Sequence, residues 1–240
     1  MRKEGILTIR KIEKLLFPLR CPVCDRPVPV GEGGACLKCR NQLVKVSGAY
    51  CMKCGKPLLT QQEYCMDCEN HRHLFCAGRG LYVYTHAAGA IYRFKYSGRQ
   101  EYAAFFGQQM AVAFASYIKA IRPDALIPVP LHEERLQKRG YNQAELLAAE
   151  LGRRVLVPVA GRMVVRVKNT IPQKELNLIQ RQNNLKKAFK IVANDVKLKT
   201  IILIDDIYTT GSTMDALTAV LLEAGVEKVY FLTLSIGGPD

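Results

Sequence analysis

The spacing of apolar and polar positions changes near residue 80. From there on, segments with helical spacing of apolar residues alternate with short apolar segments. This spacing predicts helices over 100–121, 142–153 and 213–224, and strands over 125–129, 163–167, 201–204 and 229–234. The segment 201–204 is entirely apolar, as in a strand buried on both faces. We therefore expect an α/β fold with a central, largely parallel sheet and helices on both faces.

The region before residue 80 contains four CxxC pairs. The paired cysteines are Cys21, Cys24, Cys36, Cys39, Cys51, Cys54, Cys65 and Cys68. Two CxxC turns supply the four thiolates of a tetrahedral zinc site, so four turns predict two structural zinc sites. One zinc site with a degenerate second site is the alternative. A redox or disulfide role is the weakest interpretation, because nothing in the sequence suggests export. Cys76 has no CxxC partner and is not expected to bind metal.

The cysteine-rich region contains an internal repeat. A CxxC followed by a proline occurs at Cys21 and again 30 residues later at Cys51, and each is followed by a plainer CxxC. The repeat favours two sequential sites, each built from two consecutive CxxC pairs. A cross-braced arrangement is the alternative. His71 and His73 are expected at the surface, because four thiolates already fill each site.

The domain organisation follows from these two regions. Residues 6–17 have helical apolar spacing, and Pro18 ends this predicted helix. We predict an N-terminal helix with a small double zinc ribbon over 1–78 and the α/β domain over 79–240. No stretch has the length of apolar residues that a membrane span needs, and the N-terminus does not resemble a secretory signal. We therefore expect a cytoplasmic protein.

The formal charge of +14 on 240 residues changes the list of expected partners. With 49% apolar and 23% charged residues, the composition is that of a globular protein. A basic balance favours polyanions, namely nucleic acid, an anionic membrane surface or a phosphorylated small molecule. The charge alone does not choose among them.

The run after strand 201–204 carries the most specific chemistry. Asp205 and Asp206 follow the strand directly. The loop that opens the next helix consists of Thr209, Thr210, Gly211, Ser212 and Thr213. Ligands bind at the carboxyl ends of parallel strands, and free N–H groups at a helix N-terminus form a phosphate cradle. We predict a sugar-phosphate site, with the acids on ribose hydroxyls and the loop on the 5′-phosphate. A nucleoside triphosphatase is disfavoured because the sequence contains no G-x-x-x-x-G-K-[ST].

The run 201–213 resembles the signature with which type I phosphoribosyltransferases bind 5-phosphoribosyl 1-pyrophosphate (PRPP). Together with the four CxxC pairs, it resembles the narrower ComF/ComFC family of competence-associated proteins. These proteins join an N-terminal zinc module to a phosphoribosyltransferase-like domain. Further landmarks of the resemblance, which covers nearly the whole chain, are 16–18, 94–98, 127–131, 139–143 and 173–189.

The resemblance implies roles for individual residues. It makes Asp205 and Asp206 the catalytic acids and implies Mg²⁺ on the pyrophosphate of PRPP. Besides the loop after these acids, the residues assigned to PRPP or its phosphates are Pro128, Val129, Arg139 and Lys95. Arginine is suited to bidentate phosphate contacts. The segment 168–187 occupies the place of the flexible active-site loop of the transferases.

A second set of basic residues points to nucleic acid. The segment 163–200 holds nine basic and two acidic residues, a net charge of +7. A cationic surface of this kind can follow a nucleic-acid backbone, although a charged, solvated loop without function is the alternative. The expected nucleic-acid-binding residues are Arg135, Lys138, Arg181, Lys186 and Lys187, with Lys53 and Lys56 extending the surface onto the zinc ribbons. Tyr141 and Phe189 are the aromatics expected to stack on bases.

Three functions are compatible with these features. The family role is to act in DNA uptake and natural transformation by binding single-stranded DNA beside an uptake helicase and recombination mediators. The second is an active phosphoribosyltransferase that transfers ribose 5-phosphate from PRPP to an unidentified acceptor. The third is a zinc-braced scaffold with a vestigial pocket, which the intact acids and the TTGST loop disfavour.

Overall fold

The computed structural model describes residues 18–28, 33–167, 188–192 and 197–238. Its centre is a four-stranded parallel sheet with the strand order β1-β6-β5-β2. The strands of this sheet are β1 (Gly78–Val83), β2 (Ala125–Pro128), β5 (Thr200–Tyr208) and β6 (Lys228–Ile236). A separate antiparallel pair consists of β3 (Val164–Arg166) and β4 (Phe189–Ile191). All strands of the central sheet therefore present their carboxyl ends at the same edge.

Helices cover both faces of the sheet. Within the described part of the chain they are α1 (Leu37–Arg40), α2 (Met66–Asn70), α3 (Tyr84–Tyr96), α4 (Tyr102–Ile121), α5 (Glu133–Arg139), α6 (Gln143–Val155) and α7 (Ser212–Glu223). None of these helices combines the length and apolar content that a membrane span requires.

Strand β5 shows why both faces are buried. Ile202 and Ile204 pack in one cluster with α3, α4, α6 and the first zinc ribbon. Ile201 and Leu203 pack in another cluster with α7, β3, β4 and the second ribbon. Successive side chains of a strand point to opposite faces, so a strand covered on both sides is apolar at every position. The predicted α/β fold with a parallel sheet and helices on both faces is thereby confirmed.

Several elements differ from the sequence expectation. Strand β5 continues to Tyr208, so both acids lie inside the strand rather than after it. The segment 163–167 forms β3, which pairs with β4 outside the central sheet. Helix α5 was not expected, because all of its side chains are exposed or half-buried and no apolar stripe marks it. Capping residues define its two ends instead. The His132 side chain accepts from Glu134 N at the start, and Gly140 ends the helix in the left-handed region at φ 77°.

The chain between the two ribbons covers the free edge of strand β1. The backbone N–H of Val46 donates to Leu81 O over 2.9 Å, and Val83 N–H donates to Val44 O over 2.9 Å. An exposed sheet edge is open to pairing with other chains, and this segment satisfies it within the molecule. The predicted division of the chain at 78/79 falls at the start of β1. The first ribbon shares a hydrophobic cluster with one face of the sheet, and the second ribbon shares another with the opposite face.

Candidate functional site

The eight paired cysteines form two groups of four. Within each group, made of 21/24/36/39 and 51/54/65/68, all sulfur atoms lie within 4.8 Å of one another. The Sγ atoms of Cys21 and Cys36 are 3.6 Å apart, and those of Cys54 and Cys65 are 3.6 Å apart. Tetrahedral zinc with Zn–S bonds of about 2.3 Å requires sulfur atoms separated by about 3.8 Å. The donor sets therefore fit two four-cysteine zinc sites, and their pairing is sequential, not cross-braced.

The internal repeat of the sequence is also a repeat of structure. In each ribbon a CxxC turn is followed by a short helix, α1 or α2, that begins directly after Cys36 or Cys65. Hydrogen bonding among the packed thiols lowers the pKa of Cys51 and raises that of Cys68. Zinc would replace the protons that these sulfur atoms share.

The side chains of the two acids in β5 project from opposite faces of the sheet near the carboxyl end of the strand. Asp206 turns toward α3, where Lys95 Nζ lies 2.8 Å from its Oδ1. Asp205 lines a cleft of about 180 Å³ with the loop that follows β5. The backbone N–H of Asp206 donates to Asp205 Oδ1 over 2.7 Å and fixes the orientation of that carboxyl.

The electrostatic environment disfavours the ionised form of Asp205. Burial raises the pKa of its carboxyl above the usual aspartate range, and the adjacent charge of Asp206 raises it further. Lys95 and, from strand β3, Arg166 act in the opposite direction. Carboxyl groups whose pKa is raised toward neutral pH are frequent at functional sites, because a bound ligand or ion can compensate for the repulsion between charges.

The loop after β5 has the form of a phosphate-binding turn. Thr209 and Thr210 are exposed, and the hydroxyls of Thr210 and Ser212 lie 3.0 Å apart. Helix α7 then begins, with Gly211 at its N-cap in the left-handed region at φ 80°. The first N–H groups of a helix have no intrahelical partner, and the residues at the start of α7 line the cleft. This end of the helix is therefore suited to binding an anion.

The segment that follows the second zinc ribbon contacts this loop directly. His73 Nδ1 lies 2.7 Å from Asp215 Oδ2 in the first turn of α7, and Leu74 N–H donates to Asp215 Oδ1 over 2.8 Å. A Cβ atom at Gly211 would lie 2.7 Å from His73 Cε1 and 2.7 Å from Tyr208 Oη. Packing within the protein therefore already requires glycine at this position, whether or not a ligand is bound.

The turn after β2 lies beside the same cleft. Strand β2 pairs with β5, and Val129 N–H donates to Ile204 O over 2.9 Å. Asn142 caps helix α6 by accepting from Ala144 N, and its Nδ2 donates to Val129 O over 3.0 Å. Pro128 and Val129 are thus held next to Asp205 by a buried asparagine. A larger cavity, of about 470 Å³, is lined by residues such as Ile118, Arg122 and Pro123, which precede β2 at the other edge of the sheet.

Comparison with known proteins assigns the family. A double zinc ribbon domain matches residues 12–69, and a phosphoribosyl transferase domain matches residues 136–236. Competence protein F of Haemophilus influenzae is 32% identical over 219 residues, which cover 89% of this chain and 95% of that protein. The chain belongs to the ComF/ComFC family.

Other relatives carry related names. Competence protein ComFC of Bacillus subtilis is 32% identical over 208 residues, covering 79% of this chain and 78% of that protein. The DNA utilization protein YhgH of Escherichia coli is 29% identical over 231 residues, covering 90% and 96%. Among solved structures, a purine phosphoribosyltransferase of Pyrococcus horikoshii matches 56% of this chain and 83% of its own, with a TM-score of 0.36 and 13% identity.

The basic residues expected to bind phosphates or DNA lie in different places in this ComF-family chain. Arg135 and Lys138 are exposed on α5. Arg139 donates to Gln143 Oε1 over 3.1 Å and to Tyr96 Oη over 3.0 Å. The remaining three, Arg181, Lys186 and Lys187, lie outside the described residues, as does the segment 168–187.

Four expectations about exposure are wrong. His73 is buried with a relative exposure of 6%, and Lys56 is buried in an ion pair with Asp67. The two aromatics expected to stack on bases are also buried. The Tyr141 hydroxyl donates to Phe94 O, and Phe189 packs under the Arg166 guanidinium. Their burial follows from apolar neighbours that are distant in sequence.

Two functional candidates were missed. Arg166 lies near Asp205, and its sequence signal was a lone cation within the β-branched segment 163–167. The His73–Asp215 pair joins residues 142 positions apart, so no local pattern could reveal it.

Proposed function

We propose that the cleft at the carboxyl end of β5 binds PRPP or a related ribose 5-phosphate together with Mg²⁺. The observation that carries this proposal is the juxtaposition of Asp205, the N-terminus of α7 and the turn at Val129 around one edge of the sheet. The loop and helix donors suit the 5′-phosphate, and the carboxylates suit the ribose hydroxyls. Lys95, on α3, balances the charge of Asp206 at the same edge.

We further propose that the protein acts in DNA uptake and utilisation by binding single-stranded DNA. Its relatives are named competence and DNA utilization proteins, which supports this role. The formal charge of +14 and the exposed Arg135 and Lys138 supply phosphate contacts. An uptake helicase and a recombination mediator are the protein partners that such a role implies. Thiolate zinc sites favour a reducing compartment, so we place the protein in the cytoplasm.

Catalytic phosphoribosyl transfer is the second candidate function. The environment that raises the pKa of Asp205 also makes this carboxyl a better proton acceptor near neutral pH. In such a reaction Asp205 would hold the ribose hydroxyls, with the loop after β5 on the 5′-phosphate and the turn at Val129 on the pyrophosphate. Asp206 would act from the other face of the sheet through its pairing with Lys95. Transfer requires an acceptor nucleophile, and incubating the protein with PRPP and candidate acceptors tests for release of pyrophosphate.

The direct test of the first two proposals is calorimetric titration of the purified protein with Mg·PRPP and with a short single-stranded DNA, each in the presence and absence of the other. We expect PRPP to bind once per chain. DNA affinity should fall linearly on a log–log salt plot, with a slope of about −0.7 per neutralised phosphate. Competition would indicate overlapping sites, and independence separate ones. No binding of PRPP at millimolar concentration would contradict the first proposal, and DNA binding without a salt response would contradict the second.

A further inference from the structure

Helix α3 carries a solvent-facing pair of tyrosines outside the ribose-phosphate cleft. Its buried stripe consists of Ala87, Ala90, Ile91 and Phe94. On the other side, Tyr92 is 63% exposed and Tyr96 is 52% exposed, more than any other tyrosine or phenylalanine in the described residues. The two rings are one helical turn apart, with centroids separated by 4.9 Å. Their position opposite the buried stripe shows that they do not serve the core.

Arg139 completes this surface. Its guanidinium carbon lies 4.9 Å from the centroid of the Tyr96 ring, and its second contact with that residue is the hydrogen bond to the hydroxyl. Gln143 accepts from Arg139 and donates to Phe94 O over 3.4 Å, which ties the arginine back to α3. We call Tyr92, Tyr96 and Arg139 the tyrosine face. These bonds hold Tyr96 and Arg139 in place before any ligand arrives.

The tyrosine face lies on the α3 side of the sheet, near the carboxyl end of strand β5. Lys95, adjacent to Tyr96 in the same helical turn, reaches Asp206 in β5. The surrounding charge is mainly basic, with Arg93 on α3 and the exposed Arg135 and Lys138 on α5. The acidic residues nearby include Glu133 and Glu134 at the start of α5, while Glu101 is paired with Arg99 at 3.6 Å.

We propose that the tyrosine face stacks the bases of single-stranded nucleic acid and so holds the strand on the α3 side of the sheet. The inference rests on the proposed DNA-binding function and assigns it a place. Aromatic rings and arginine planes accept the π-face of any base, and flanking cations hold the phosphates between stacked bases. A proline-rich peptide could also contact exposed tyrosines, but the basic surroundings favour a polyanion.

The test separates base contacts from phosphate contacts. Oligothymidylate and an abasic strand of the same length, about 16 nucleotides, carry the same phosphates but differ in bases. Wild-type protein should bind oligothymidylate about tenfold more tightly than the abasic strand, since each stacked base contributes to affinity. The variant carrying Tyr92→Ala and Tyr96→Ala should bind both strands equally. Its salt dependence should equal that of the wild type, because the flanking cations that contact phosphates remain.

Matched variants control for folding and for exposure. Tyr92→Phe keeps the ring and should keep the preference for bases. Tyr64→Ala removes a tyrosine that is 42% exposed on the second ribbon, and it should also leave the preference unchanged. The chain contains no tryptophan, so Tyr92→Trp introduces a single fluorescent reporter. Oligothymidylate should quench the fluorescence of this tryptophan, and the abasic strand should not.

The outcomes distinguish this inference from the function on which it rests. If wild-type protein binds neither strand, the DNA-binding proposal fails and the tyrosine face fails with it. If wild-type protein binds both strands with equal affinity, or if the double alanine variant keeps the base preference, only the tyrosine face is overturned. Binding of a polyproline peptide by Tyr92 and Tyr96, with no base preference in wild-type protein, would assign the surface to protein partners instead.

Discussion

Replacing Gly211 with alanine should lower the affinity for Mg·PRPP at least about tenfold, the equivalent of about 1.4 kcal/mol. Two effects combine at this position. The residue adopts φ 80°, which costs an L-residue about 1–2 kcal/mol. The new Cβ would also come within 2.7 Å of the His73 ring and the Tyr208 hydroxyl, so the loop must shift away from both. The donors at the N-terminus of α7 then lose the positions that a phosphate requires.

A matched control lies at the other end of the same helix. Gly225, just after α7, adopts φ 97°, and a Cβ there would meet nothing within 4 Å. Gly225→Ala should therefore cost a similar amount of stability through backbone strain, yet leave PRPP binding unchanged. Thermal unfolding and calorimetry on both variants separate the two effects. Wild-type PRPP affinity in Gly211→Ala would show that this loop is not the phosphate site.

Loss of the second zinc ion should also weaken ribose-phosphate binding. A zinc module that folded independently would lose its metal and leave the α/β domain largely intact. In the structure, however, Cys51, Cys54 and Cys65 share a buried cluster with Tyr208, and His73 lies against Gly211. Structural zinc sites contribute their binding free energy to folding. Releasing this ribbon should therefore free the phosphate loop as well.

The two ribbons provide their own comparison. Cys68→Ser and Cys24→Ser each remove one partly exposed ligand, from the second and the first ribbon respectively. The first ribbon packs elsewhere, where the Tyr102 hydroxyl of α4 donates to Asp25 and Gly34 lies against Phe105. Metal analysis should find two zinc ions per wild-type chain and fewer in each variant. Only Cys68→Ser should lose PRPP affinity, and equal affinities in the two variants would contradict the proposed coupling.

The features that could be predicted from the sequence are those encoded locally. They are the CxxC spacing, the apolar strand before Asp205 and the loop that follows it, each of which lies within a short segment. In the structure the cysteines form the two groups of four, and Asp205 lines one cleft with the loop. The end of β5 was misplaced because two acids rarely continue a strand. Here Lys95 compensates the charge of Asp206, and β6 pairs with β5 as far as Tyr208.

The features that were missed depend on contacts between distant segments or on periodicity that was not followed. His73 became part of the phosphate loop's surroundings only through Asp215, which lies 142 residues away. Tyr141 looked available for stacking until the fold placed it under α3, where it donates to Phe94 O. The tyrosine face was visible in principle, because Tyr92 and Tyr96 have i, i+4 spacing outside the apolar stripe of α3.

The central claim, that the cleft at Asp205 exists to bind a ribose phosphate, is tested most directly by Asp205→Asn. Because the folded-state pKa of Asp205 lies above its unfolded value, its ionisation lowers stability as the pH rises from about 4 toward neutrality. Asparagine removes this cost and still accepts the N–H of Asp206. The variant should therefore unfold at a temperature a few degrees higher at neutral pH, since about 1 kcal/mol corresponds to roughly 2–4 °C. The temperature difference should shrink at acidic pH.

The same variant should bind Mg·PRPP much more weakly, because it has lost the charge that accepts the ribose hydroxyls. The deciding measurement is calorimetric titration of wild-type protein and Asp205→Asn with Mg·PRPP at neutral pH, with thermal unfolding recorded on the same samples. Tight binding by the wild type, with at least about tenfold weaker binding by a more stable variant, is the predicted result, as expected when a functional site is kept at the expense of stability. Equal PRPP affinity in the two proteins would contradict the account.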